Sequence, residues 1–190
     1  MSSSSNGIQK TFTVPVSVTK GTLIDFETTG IPGVTATSEI VTLGYLKGSE
    51  AVVIQRKTSE KETFYREARS TLAKLPRPFY TYNSDFERDI MKVELRLDLA
   101  KTDFVDLMEP WRAKAEESFE KWPKLDELIS EPEDYFGEPK VTGEKVPELW
   151  KLFLDGDAKE EVLDLIIDHC FSDLLREAYL LLRYPYYKDK

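Results

Sequence analysis

The chain is poor in the residues that most often betray a function. It has a single cysteine, Cys170, which excludes an internal disulfide framework and any cysteine-based zinc site. It has a single histidine, His169. No apolar run approaches the ~18 residues that a membrane span needs, so membrane insertion is not expected. The start, Met1-Ser2-Ser3-Ser4-Ser5-Asn6-Gly7, has neither a basic cluster nor an apolar stretch of signal-peptide length. Residues 1–10 therefore read as a flexible leader, and the expected location is cytoplasmic. Amides are also scarce, with two asparagines (Asn6, Asn83) and two glutamines (Gln9, Gln55) beside abundant Glu and Lys. Depletion of thermolabile amides with enrichment of charge is the composition of a thermophile protein. It also leaves Asn83 as the only asparagine outside the leader.

What is present suffices for one folded domain. Of 190 residues, 41% are hydrophobic and 12% aromatic, enough to bury a core and to exclude wholesale disorder. The net charge is −9, which argues against a protein that coats nucleic acid by neutralising phosphates. The charge is uneven, however. Between Arg56 and Arg77 the basic residues Arg56, Lys57, Lys61, Arg66, Arg69, Lys74 and Arg77 outnumber Glu60, Glu62 and Glu67. Such a strip can face a polyanion or can be an ordinary solvated helix face.

The spacing predicts three strands in a meander, at 22–26, 39–46 and 51–55, with Lys47-Gly48-Ser49-Glu50 as the turn between the last two. Phe64, Ala68, Leu72 and Leu75 form a helical stripe over 61–75, stopped by Pro76 and Pro78. A short aromatic strand follows at 79–82, then a helix over 84–94 and a strand at 102–107. From Glu109 to Glu144, which holds four of the ten prolines, only short helices and loops are expected. A closing helix, capped by Asp157 with Glu160 three residues on, carries an apolar set from Val162 to Leu181. Strands separated by helices in this order predict one α/β domain: a central mixed five-stranded sheet flanked by helices.

Chemistry is concentrated at three places. Asp25 and Glu27 stand two apart at the end of the first strand, so both carboxylates leave the same face. Side by side they repel, and a divalent cation relieves that repulsion. The plain alternative is a strand end facing water. Leu23-Ile24-Asp25-Phe26-Glu27-Thr28-Thr29-Gly30 resembles the first motif of the DEDD 3′–5′ exonuclease superfamily, which has the ribonuclease H-like fold. Tyr82-Asn83-Ser84-Asp85-Phe86-Glu87, followed by Ile90-Met91, is similar to the second motif. His169-Cys170-Phe171-Ser172-Asp173 resembles the third. The three occur in the family's order, across about Gly21 to Tyr184, and the resemblance makes 11–190 a single ribonuclease H-like exonuclease domain.

Two departures bear on the site. Glu87 stands where the family usually has Asp, with Asp85 two residues earlier as the alternative ligand; Glu87 also completes a capping box with Ser84. His169 lies four residues before Asp173, a histidine in the register where one branch of the family has tyrosine, which puts both on one helical face. The resemblance implies a metal-dependent 3′–5′ exonuclease on single-stranded DNA or RNA. Asp25, Glu27, Glu87 and Asp173 would hold two Mg²⁺ or Mn²⁺ ions, and His169 would be the base. Thr28, Thr29 and Asn83 would contact the terminal nucleotide. Two dications also soften the objection from the acidic charge. The competing readings are a ribonuclease H-like binding module without activity, and an endonuclease of the ribonuclease H kind. Nothing in the sequence implies a stable protein partner.

Overall fold

The computed structural model of the protein describes residues 7–129, 141–156, 158 and 160–183. Four extended segments form one sheet in the order β2-β1-β3-β4: β1 Gly7–Thr28, β2 Ile40–Arg56, β3 Phe79–Thr81 and β4 Phe104–Asp106. β1 and β2 are antiparallel, whereas β1–β3 and β3–β4 are parallel, so the sheet is mixed. β2 turns back on itself at Gly48, whose φ of 59° favours a residue without a side chain. The fold-back is fixed by two contacts: the Thr42 hydroxyl donates to the Gln55 side-chain oxygen, and Arg56 pairs with Glu39 at 2.8 Å. With the arms 40–46 and 51–56 taken separately, the central sheet has the five expected strands.

β1 has two arms as well. Its second half pairs with 40–46, from Leu23↔Leu46 to Thr28↔Ile40, while its first half pairs with 50–56, from Gly7↔Arg56 to Thr13↔Glu50. Gly7–Lys10, expected within the leader, are therefore paired strand residues. Lys10 reaches Asp164 at 2.7 Å and the Phe12 ring stacks on Phe171 at 4.1 Å, which ties this arm to the closing helix. Residues 1–6 lie outside the described residues.

The helices fall where the apolar spacing puts them. α1 Glu62–Leu72 and α2 Ser84–Val93 cover one face of the sheet, packing Phe64, Ala68, Leu72, Ile90 and Met91 against Ile24, Phe26 and Val52. α3 Glu109–Ser118, the short α4 Leu125–Leu128 and α5 Val146–Leu154 occupy the region where short helices were expected and its continuation. α6 Glu161–Arg183 covers the other face, setting Ile167, Cys170, Leu174 and Ala178 on Leu23, Leu46 and Val53. It starts at Glu161; Asp157, expected as its cap, lies outside the described residues. The basic strip is largely engaged internally. Arg56 is buried over the Trp150 ring, Lys57 pairs with Glu160, Lys61 with Glu39 and Glu94, and Arg69 approaches Glu62. Among the described residues no helix is long and apolar enough to cross a membrane.

Candidate active site

The strand alternation builds the site. Ile24 and Phe26 point to the α1–α2 face, while Leu23 points to α6. Asp25 and Glu27 continue the Leu23 side, so two carboxylates extend the apolar row that receives α6. Across the sheet Asp25 pairs with Gly44, and a Cβ at Gly44 would overlap the Cys170 sulfur. The missing side chain lets α6 settle directly over Asp25. One carboxylate oxygen each of Asp25 and Glu27 and the Cys170 sulfur lie within 4.8 Å of one another.

One turn of α6 then carries the third motif into the same place. His169 Nε2 stands 3.6 Å from Glu27 Oε1 and 3.7 Å from Asp173 Oδ2, bridging the strand acid and the helix acid. Arg176 bonds Asp173 at 2.9 Å from the outer side and is itself held by the Ile129 carbonyl. From the second motif, Glu87 is 3% exposed and its charge faces Asp25. Asp85, the alternative, is half-exposed and pairs with Arg88 at 3.1 Å and Arg112 at 3.6 Å. The structure therefore brings Asp25, Glu27, Glu87, His169 and Asp173 together and turns Asp85 outward.

The electrostatics are those of acids crowded together out of water, each raising the others. Burial, then the charge of Asp173, pushes the Asp25 carboxyl up to about 7, while the Cys170 thiol and the Phe26 amide pull it down. Glu27 is raised well above the carboxylate range by burial and by Asp25 and Asp173, and Glu87 by burial and Asp25. Burial and the same acids keep Cys170 protonated, so it acts as a donor to Asp25. Asp25 Oδ2 and Glu87 Oε2 are buried without a hydrogen-bond partner. Buried acids with orphaned oxygens fit a hard divalent cation with oxygen ligands, of the Mg²⁺ or Mn²⁺ type.

The three residues expected at the nucleotide differ in their commitments. The Thr28 hydroxyl donates to the Gly30 carbonyl, whereas Thr29 Oγ1 is buried without a partner. Asn83 sits in the left-handed region at φ 73°, ψ 64°, a conformation asparagine tolerates. Its amide donates to Asp106 and its side-chain oxygen accepts from Arg112, which also binds Asp106 at 2.8 Å. Beyond the acids, a cleft of about 270 Å³ opens over the third motif, lined among others by Lys124, Thr142, Gly143, His169, Asp173 and Arg176.

The sequence reading missed Glu177, which is 2% exposed and close enough to Asp25, Glu87 and Asp173 for their charges to raise its carboxyl further, beyond the larger effect of burial. Its signal was present: it follows Asp173 by four residues, one helical turn on the same face. Asp106 and Arg112 were missed as well, because their part is to brace Asn83 from a distant strand and helix.

A mixed sheet with carboxylates at the end of its first strand, met by a terminal helix bearing a further acid, defines an α/β fold of the nuclease-like or nucleic-acid-binding kind. A model of the RNase H superfamily matches residues 22–183, and the chain belongs to that superfamily. No curated protein matches it. Nucleases of this superfamily generally use divalent metals, in agreement with the buried acidic cluster.

Proposed function

We propose that the protein is a metal-dependent 3′–5′ exonuclease acting on single-stranded DNA or RNA, of the DEDD type with histidine in the tyrosine register. The observation that carries this reading is the position of His169 Nε2 between Glu27 and Asp173, with Asp25 beside Glu27 and Glu87 facing Asp25. Asp25, Glu27, Glu87 and Asp173 would hold two Mg²⁺ or Mn²⁺ ions. When bound, these supply positive charge to the phosphorane-like transition state and acidify a water molecule.

The remaining steps belong to the chain. His169 orients the attacking water and takes its proton as the oxygen bonds phosphorus and the bond to the 3′ oxygen breaks, that oxygen leaving as a hydroxyl with a proton from solvent. Glu27 and Asp173, each close to Nε2, stabilise the imidazolium that forms. Arg176 keeps Asp173 turned toward the cluster. Thr28, Thr29 and the braced Asn83 contact the terminal nucleotide. Exposed Phe119 and Trp122 offer aromatic faces on which unstacked bases can stack.

The test uses oligonucleotides of DNA and RNA labelled at either end, incubated with Mg²⁺ or Mn²⁺ at elevated temperature. A ladder from the 5′-labelled strand and early release of labelled mononucleotide from the 3′-labelled strand is the expected result. Internal fragments at first turnover would make it an endonuclease, and binding without cleavage would make it an inactive module.

A further inference from the structure

The buried carboxyl that the three motifs leave unused is Glu177. It lies on α6 four residues beyond Asp173 and eight beyond His169, so the three form one stripe on the helix face that meets β1. Oε1 accepts a hydrogen bond from the Tyr82 amide at 2.7 Å, just before Asn83. Oε2 is buried with no partner. Asp25, Glu87 and Asp173 face it with like charge. Its sequence neighbour Arg176 turns instead to Asp173 and the Ile129 carbonyl, and among the described residues no cation pairs with Glu177.

A purely structural role does not need this residue. Glutamine is nearly isosteric, its side-chain oxygen would accept from the Tyr82 amide equally well, and it carries no charge to bury. An ionised acid 2% exposed among three others is costly unless something positive reaches its free oxygen. We propose that Glu177 is a further metal-ligating carboxylate: one oxygen pins the Tyr82–Asn83 turn, and the other is offered to a divalent cation on the Asp25–Glu87 side of the cluster. The inference rests on reading that cluster as a metal centre and enlarges its ligand set from four acids to five. It also gives the second motif a physical link to the third, because the residue that fixes the turn carrying Asn83 and Glu87 would bind the same ion.

The experiment is calorimetric titration of Mn²⁺ into the full chain, with the melting temperature measured with and without Mn²⁺. Glu177→Gln should melt higher than the unsubstituted protein in the absence of metal. It should bind Mn²⁺ about tenfold or more weakly at one site and gain less in melting temperature when Mn²⁺ is added. An unchanged Mn²⁺ affinity, stoichiometry and melting increment in folded Glu177→Gln would overturn the proposal. If that variant does not fold, Glu177→Asp, which keeps the charge but retracts it by one methylene, decides in its place: weaker Mn²⁺ binding supports the role and wild-type binding overturns it. Asp25→Asn, run in parallel, separates the two levels of the argument. Loss of Mn²⁺ binding in Asp25→Asn alone removes Glu177 from a metal centre that stands; undiminished binding in both variants removes the metal centre itself.

Discussion

Gly44 and Cys170 are in contact because Gly44 has no side chain: a Cβ there would overlap the Cys170 sulfur and press on Leu174. Gly44 is also the cross-strand partner of Asp25. The distance from α6 to the first-motif acids is therefore set by a residue with no side chain. Gly44→Ala should force α6 outward and destabilise the fold by roughly 1–3 kcal/mol, the usual cost of overpacking. That is a fall of several degrees in melting temperature for a chain of this size. Mn²⁺ affinity should fall with it, because Asp173 withdraws from Glu27. A melting temperature equal to that of the unsubstituted protein would show that α6 is not held this closely.

Asp25→Asn separates function from folding in the opposite direction. Asp25 is raised to about 7 by burial and by Asp173, so removing its charge relieves the metal-free protein. The variant should melt higher than the parent without metal, fail to bind Mn²⁺ calorimetrically and lose metal-dependent cleavage. Retained Mn²⁺ binding and turnover would make Asp25 an ordinary strand-end acid.

The same shifts give a pH dependence of definite sign. Asp25, Glu27, Glu87 and Glu177 all have carboxyls raised in the folded state, so the folded protein holds more protons than the unfolded chain. Their stabilising contribution is complete below the unfolded carboxylate range, near pH 4, and is lost as pH rises through the folded values, about 7 for Asp25. Metal-free protein should therefore lose stability between about pH 4 and pH 7. With Mn²⁺ present the acids must ionise to bind, and stability should rise over that interval. Denaturant unfolding with chelator and with Mn²⁺ at several pH values reads both slopes. Parallel slopes would mean that the acids do not form one electrostatic unit.

The legible parts of this molecule were those that local rules determine. Alternation placed Asp25 and Glu27 on one face, and the four-residue interval placed His169 beside Asp173; both rules act within one element. The choice between Asp85 and Glu87 was not legible. Both lie in the first turn of α2, and what turns Asp85 outward includes Arg112, from a helix beyond the next strand. Glu177 escaped notice because an acid on a long helix ordinarily faces water, and its burial follows from the close approach of α6 that Gly44 permits. Gly7–Lys10 looked like a leader because the strand they pair with lies more than forty residues away, a partner that no local pattern announces.

His169 gives the sharpest test of the chemistry. Its Nε2 lies between Glu27 and Asp173, and its Nδ1 is buried without a hydrogen-bond partner. A histidine retained for structure would be expected to anchor the ring through that second nitrogen, whereas here its polar contacts run toward the acids. As a general base it should contribute ~10²–10⁴-fold to turnover without being needed for metal binding. His169→Ala should lower kcat by that factor and leave Mn²⁺ affinity nearly unchanged, whereas Asp173→Asn should damage both. His169→Tyr, which restores the residue that one branch of the resembling family has in this register, should recover part of the lost rate. A core hydrogen-bonder would behave otherwise, with a lower melting temperature in His169→Ala but little change in activity well below it. Measuring kcat, Mn²⁺ affinity and melting temperature on all three variants separates the two roles. Near-normal turnover in folded His169→Ala would take the base away from His169 and leave the acids to activate water alone.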